Sequence, residues 1–313
     1  MSETLTSIIE DEAASSGIRR GMVFIAAGAT IAPGMHAIAK GLGDSLSFGQ
    51  IAWARFFFQL TFLLPVVLIS YRGRLPRPAI THGVRGLLLV LATLAFFWAV
   101  TFMPLADSAA IFFAEPLILT VMSALFLGEQ IGWRRVLAVL VGFMGALIVI
   151  RPSFETFGLP ALLPLLAAVC YALYLIMTRR LAKTESAQAM QFWVCLFGML
   201  ILSALLAASA QIGWDMMQPS WPTIEAWGWL ACLGVIATIA HMLAIRAFQL
   251  APASVLAPFQ YLEILGATLL GAVIFDDLPD GLTGLGIAIV VGSGLYVFYR
   301  EQQTGAKPSP TEG

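Results

Sequence analysis

Two stretches decide the fold when set side by side: "PLADSAAIFFAEPLILTVMSALFLGE" (residues 104–129) and "PASVLAPFQYLEILGATLLGAVIFDD" (residues 252–277). They align without gaps, 148 residues apart. Each opens on a proline and a run of small residues, reaches a glutamate partway along and ends on an acid. In that register Glu115 falls on Glu263, and Glu129 on Asp277. The segments that follow match as well, "GFMGALIVIR" (142–151) against "VGSGLYVFYR" (291–300), and "SFGQIAW" (47–53) is echoed faintly by "SAQAMQFW" (186–193).

What a glutamate inside an apolar run means depends on the solvent around it. The chain has 313 residues, 59% hydrophobic and 11% charged, with a mean hydropathy of +0.89. Soluble domains carry about 25% charged residues, so this composition excludes water as the main solvent and predicts a polytopic membrane protein. A net charge of −1 argues against a nucleic-acid partner. Cys170, Cys195 and Cys232 all fall inside apolar runs with no CxxC pair, so they read as small buried apolar residues rather than disulfides or metal ligands.

A helix needs about 20 mostly apolar residues to cross a hydrocarbon core of about 30 Å. Ten runs qualify: 20–40, 49–70, 84–103, 106–127, 132–150, 158–179, 188–210, 226–248, 252–275 and 281–299. They are continuous rather than alternating, which excludes barrel strands. Arg19 and Arg20, then Arg72, Arg74, Arg77 and Arg85, then Arg134 and Arg135, then Arg179, Arg180 and Lys183, and finally Arg300 and Lys307 mark every second connection as basic. The other connections hold mainly acids (Asp44, Asp215, Glu225, Asp276, Asp277 and Asp280), with Arg151 the exception. Basic loops stay cytoplasmic, so both termini are expected there. Residues 1–18 contain Glu3, Glu10, Asp11 and Glu12 but no basic residue, hence no signal-peptide n-region. They read as a disordered cytoplasmic tail, and 301–313 as a second polar one. Five spans per half is an odd number, so the second copy enters from the opposite side. The expected fold is an all-α polytopic membrane protein, with ten transmembrane helices in two inverted five-helix repeats, 19–151 and 152–300. Inverted repeats commonly serve alternating access, with a midplane site between the halves.

Ten spans in two halves, with "P…AEP…GE" and a glycine-rich helix after it, resemble the EamA-type members of the drug/metabolite transporter superfamily over about residues 20–300. The second half departs from the first. It reads Glu263-Ile264 where the first reads Glu115-Pro116, keeping the acid but not the kink, and "DD" replaces "GE". The resemblance implies a cavity among spans one, three, four, six, eight and nine, and a small-molecule substrate moved across the cytoplasmic membrane. The layout of "ARFFFQL" and "AEP" looks most like members that import bulky aromatic metabolites such as riboflavin or S-adenosylmethionine. Exporters of amino acids or amine drugs are the alternative within the superfamily.

The candidate site residues are polar or aromatic groups that hydrocarbon does not tolerate idly. Glu115 at mid-bilayer costs about 2.5–3.5 kcal/mol on insertion scales, so it is expected to face a cavity and is the candidate for a coupling proton. Pro116 takes a helical partner from the Phe112 carbonyl. The structural alternative is a carboxylate paired with Arg55 or His36. Gln260 and Glu263 are three apart and share a helix face. Arg55 either grips a substrate carboxylate or phosphate or snorkels to the outer interface, as Lys40 does more easily. His36 and His241 either relay protons or pack. Trp98, Tyr171 and Tyr174 are candidate stacking rings, whereas Trp214, Trp221, Trp227 and Trp229 flank a connection and suit an interfacial belt.

Other chemistry is excluded at this level. No Walker A loop, HExxH or βαβ context accompanies "GLTGLG" (281–286), so no cofactor or metal is expected. "DDLPD" (276–280) resembles a diphosphate-binding acidic cluster but lacks a second cluster, and reads as a solvated turn. It is the sole foothold for the rival reading, an integral-membrane enzyme acting on lipid-linked substrates. The expectation is therefore a secondary transporter and not an enzyme. Substrate identity, direction, coupling ion and oligomeric state stay open.

Overall fold

A computed structural model describes residues 2–70, 79–127, 133–182, 184–214, 217–251, 256 and 259–305. Arg72, Arg74, Arg77, Glu129, Lys183, Asp215 and Lys307 lie outside the described residues, as do the side chains of Arg134, Arg135, Arg151 and Arg300. Among the described residues every regular element is helical. The helices are α1 (Ser2–Leu42), α2 (Phe48–Ser70), α3 (Ala79–Ala99), α4 (Leu105–Phe112), α5 (Glu115–Leu127), α6 (Trp133–Phe157), α7 (Leu163–Ala182), α8 (Ala187–Ile212), α9 (Ile224–Leu250), α10 (Leu262–Phe275) and α11 (Gly281–Gly305). Helices satisfy their own backbone, the requirement that lipid imposes. Their boundaries follow local chemistry. Ser186 and Thr223 cap α8 and α9 by accepting from Ala189 N (3.2 Å) and Ala226 N (3.1 Å), and Gly213 ends α8 at φ 69°.

Among the described residues eight stretches are long and apolar enough to cross a membrane, with α4 and α5 together forming one of them. The stretches Leu262–Phe275 and Gly281–Ser293 are apolar but shorter. At 1.5 Å per residue, the 14 residues of α10 rise only about 21 Å. Among the described residues eight spans therefore qualify by length where ten were expected: most of 252–258 lies outside the described residues ahead of α10, and the apolar stretch of α11 stops at Ser293 although the helix continues to Gly305. Residues 2–18 are helical and run directly into the rest of α1; Ala, Glu and Leu there are good helix formers joined to a helix already nucleated.

The spans pack in a regular scheme. α1 lies along α9 and α10, and α7 along α3 and α5; α2 packs on α8 and α9, α3 on α8, and α6 on α11. Small residues let α6 and α11 approach closely. A methyl on Gly145 would meet the Gly286 carbonyl at 3.1 Å, and one on Gly286 would meet the Gly145 carbonyl at 2.8 Å. Gly286→Leu is accordingly expected to lower stability by about 1–3 kcal/mol through overpacking. Gly284→Leu should be tolerated, since nothing lies within 4 Å of that position. Thermal unfolding in detergent checks both.

The region around Glu115 and Glu263 is interrupted twice. After α4 the chain turns at Phe113 and Ala114, and Ala114 N bonds Ile111 O (3.1 Å) in a tightened turn. Pro116 then enters the first turn of α5, where its missing N–H costs nothing. The second half also turns, at Tyr261 immediately before α10. This corrects the expectation that Glu263 is kept without an interruption. The buried Tyr261 ring at this turn packs on Phe113, with centroids 5.9 Å apart.

Candidate functional site

Each interruption leaves a helix N-terminus inside the membrane, with a glutamate in its first turn: Glu115 on α5 and Glu263 on α10. The positive end of a helix favours a carboxylate, which explains how two acids are held in apolar segments. Their surroundings differ. Glu263 Oε1 lies 2.9 Å from His36 Nε2 of α1, both side chains being partly exposed. Glu115 is 1% exposed, and its Oε1 has no hydrogen-bond partner among the described residues.

A cavity enclosing about 710 Å³ of unoccupied space, part of it open, lies between α1, α3 and α9 and is lined by His36, Arg55, Tyr171, His241, Gln260 and Glu263. Its apolar wall comes from Met35, Phe96, Phe97 and Phe112 together with small residues of α1 and α9. Arg55, 3% exposed, donates to Thr93 Oγ1 and, from Nη2, to His241 Nε2 at 3.0 Å. His241 Nδ1 is 2.9 Å from the Ala237 carbonyl. Gln260 is buried, and its Oε1 lacks a partner among the described residues.

Of the eight residues expected at the site, His36, Arg55, Tyr171, Gln260 and Glu263 come together on this cavity. Glu115, Tyr174 and Trp98 are not among its lining residues. Tyr174 stacks behind Tyr171 (centroids 5.6 Å) and is 1% exposed, so Tyr171 alone presents its ring. Trp98 stacks on Phe48 (5.2 Å) and meets Trp214 edge-on (6.5 Å), joining the end of the bundle where the acidic connections lie. Arg55 and His36 both have partners other than Glu115, so neither expected counter-ion is hydrogen-bonded to it.

Sequence reasoning missed Thr93, Phe96, Phe97 and Phe112 as lining residues. Thr93 is detectable in retrospect as the lone hydroxyl of "LATLAFF", three and four residues before the two rings. His241, a relay or packing histidine by sequence, lines the cavity. Arg85 was counted as a connection residue but is fully buried in α3. It donates to Thr178 Oγ1 (2.9 Å) and the Met190 carbonyl (3.4 Å), contacts His82 Nδ1 (3.2 Å) and lies over the Tyr174 ring. His82 in turn pairs with Glu185 (3.0 Å). Its signature is the i,i+3 pair in "THGVR". Lys40 does not snorkel freely; it pairs with Asp277 and lies over the Phe275 ring. Asp280 accepts from Thr283 N (2.6 Å) at the start of α11, and hydrogen bonds from that residue hold its carboxyl below the usual range.

Among known proteins the chain is similar to an S-adenosylmethionine uptake transporter of Rickettsia bellii (strain RML369-C), 29% identical over 272 residues, covering 86% of this chain and 90% of that protein. It is also similar to a riboflavin transporter of Vibrio cholerae serotype O1, 30% identical over 217 residues, covering 69% and 70%. A crystal structure of a protein superposes with a TM-score of 0.68 at 19% identity, covering 91% of this chain and 99% of that one, and supports the fold alone. The pattern of the EamA-like transporter family matches twice, over residues 19–151 and 158–299. A buried polar cavity in a helical membrane bundle, transporter relatives along most of the chain and this double match lead to one conclusion: the chain is a membrane transporter that belongs to the EamA-like transporter family.

Proposed function

We propose that this protein is a secondary transporter that takes up a small, planar organic metabolite across the cytoplasmic (inner) membrane by alternating access. One observation carries the reading: a single cavity unites a guanidinium, an imidazole–carboxylate pair and the rings of Phe96, Phe97, Phe112 and Tyr171. Aromatic rings stack on planar solutes, while a few fixed polar groups set orientation. S-adenosylmethionine and riboflavin, named for the two relatives, each carry a planar heteroaromatic ring system that such aromatic walls can stack on. Uptake of each in radiolabelled form into proteoliposomes, with and without an imposed proton gradient, tests the proposal. Failure to take up either would overturn it.

The architecture proposed for this function is ten spans in two inverted repeats, 19–151 and 152–300, flanked by tails 1–18 and 301–313. The packing supports it, since exchanging the halves maps the scheme onto itself. α1 on α9 and α10 becomes α7 on α3 and α5, α2 on α9 becomes α8 on α3, and α2 on α8 and α6 on α11 map onto themselves. With both termini cytoplasmic, reporters fused at the C-terminus and at Gln218 are expected to report opposite sides of the membrane. The same side for both would refute the topology. Glu115 is the proposed coupling-proton carrier.

A further inference from the structure

We infer that Arg55, held in place by His241 and Thr93, grips a carboxylate of the substrate, so that the cavity selects planar metabolites carrying one carboxylate over neutral ones. This deepens the proposed function and rests on it, because it assumes that the described cavity is the substrate site.

The argument starts from hydrogen-bond bookkeeping. A guanidinium only donates, so the His241 Nε2 facing Arg55 Nη2 at 3.0 Å must be an acceptor without a proton. The Ala237 carbonyl only accepts, so His241 Nδ1 carries the ring proton. His241 is thereby fixed as a neutral imidazole in one tautomer. Thr93 Oγ1 is fixed in the same manner: it gives its hydrogen to the Leu89 carbonyl (2.7 Å) and accepts from Arg55 Nη1. Two neutral acceptors therefore orient the guanidinium without neutralising it. Among the described residues no carboxylate lies within ion-pair distance of Arg55, and its Nε is buried without a hydrogen-bond partner. Glu263, the carboxylate on the same cavity, already bonds His36.

A buried guanidinium with no carboxylate in direct contact is costly, and the Glu263 charge reaches it only at longer range, so a carboxylate brought into the cavity by the substrate would supply the missing direct partner. A carboxylate fits the planar fork in shape and supplies one negative charge for one positive. A phosphate monoester brings −1.5 to −2 at neutral pH and would leave an unbalanced charge in the same place. The clamp thus separates the two solute types. S-adenosylmethionine carries a carboxylate on its amino-acid arm, remote from its planar base and alongside an ammonium and a sulfonium, whereas riboflavin is neutral.

The test is equilibrium binding to the purified full chain, using S-adenosylmethionine, its decarboxylated analogue, riboflavin and riboflavin 5′-phosphate as probes. Loss of the carboxylate is expected to weaken binding about 10- to 100-fold, the usual worth of hydrogen bonds to a charged group. In Arg55→Gln, S-adenosylmethionine should fall to the level of its decarboxylated analogue, while Arg55→Lys should retain part of the preference. His241→Leu should reduce that preference without abolishing it, because the guanidinium loses an orienting partner but keeps its charge. The wild-type comparison needs no variant, so misfolding of Arg55→Gln does not block the test. Equal binding of the carboxylated and decarboxylated probes would overturn the clamp and leave the proposed function standing, as would tighter binding of either flavin. Absence of binding and uptake for all four would remove the proposed function and the clamp together.

Discussion

Glu115→Gln is expected to abolish accumulation of substrate driven by a proton gradient while leaving exchange of labelled for unlabelled substrate largely intact. Glutamine preserves shape and hydrogen-bonding capacity but cannot release a proton. The wild-type carboxylate has two conflicting hosts: a helix N-terminus that offers backbone N–H groups to the charged form, and an apolar interior that accommodates the neutral form. A group balanced between such influences suits a proton carrier. Reading it as a structural counter-ion conflicts with the pairing of His36 to Glu263 and of Arg55 to His241 and Thr93. Transport and thermal unfolding measured together across pH decide the matter. A variant that concentrates substrate normally would sink the coupling role. Weaker substrate binding at every pH would instead mean that Glu115 contacts a cationic part of the solute.

The largest stability loss is expected from Arg85→Ala, about 3–5 kcal/mol, the usual result of removing one member of a buried charged network. The substitution leaves a void beside Tyr174 and strips Thr178 and the Met190 carbonyl of a donor. It also isolates His82 and Glu185 from the cation at the centre of the cluster. The cluster joins α3, α7, the start of α8 and the Glu185 turn, and Gln249 of α9 donates to the Glu185 carbonyl (3.1 Å). Loss of monodisperse protein in detergent is the expected readout, with Arg85→Lys intermediate because an ammonium keeps the charge but not the planar fork. A variant as stable as wild type would show that the network contributes no net stability.

Charge made much of this molecule legible in sequence, because a polar group in an apolar run stands out against its neighbours. His36, Arg55, Gln260 and Glu263 were found for that reason, and all four line the cavity. The apolar half of the site had no such contrast: Phe96, Phe97 and Phe112 look like any lipid-facing or core ring until packing assigns them. The same blindness misassigned Trp98, whose neighbours Phe48 and Trp214 come from distant parts of the chain. Arg85 was misread because a cation near a span's end usually reaches water, and only the tertiary fold shows Thr178 and Tyr174 enclosing it. The turn at Tyr261 is hidden in the sequence because proline is the usual written sign of an interruption, and none stands at Tyr261 or just after it.

The contact between Phe113 and Tyr261 also sets up a lever. α10 extends about 21 Å from Tyr261 to its far end, and immediately beyond that end lies Asp277, the partner of Lys40. A swing of about 10° at Tyr261 carries that end sideways by about 4 Å on the same rise per residue, more than an ion pair can stretch and survive. Glu263 rides near the fulcrum and moves little during the same swing. Any rigid tilt of α10 about Tyr261 would therefore be felt several times more strongly at the Lys40–Asp277 pair than at Glu263.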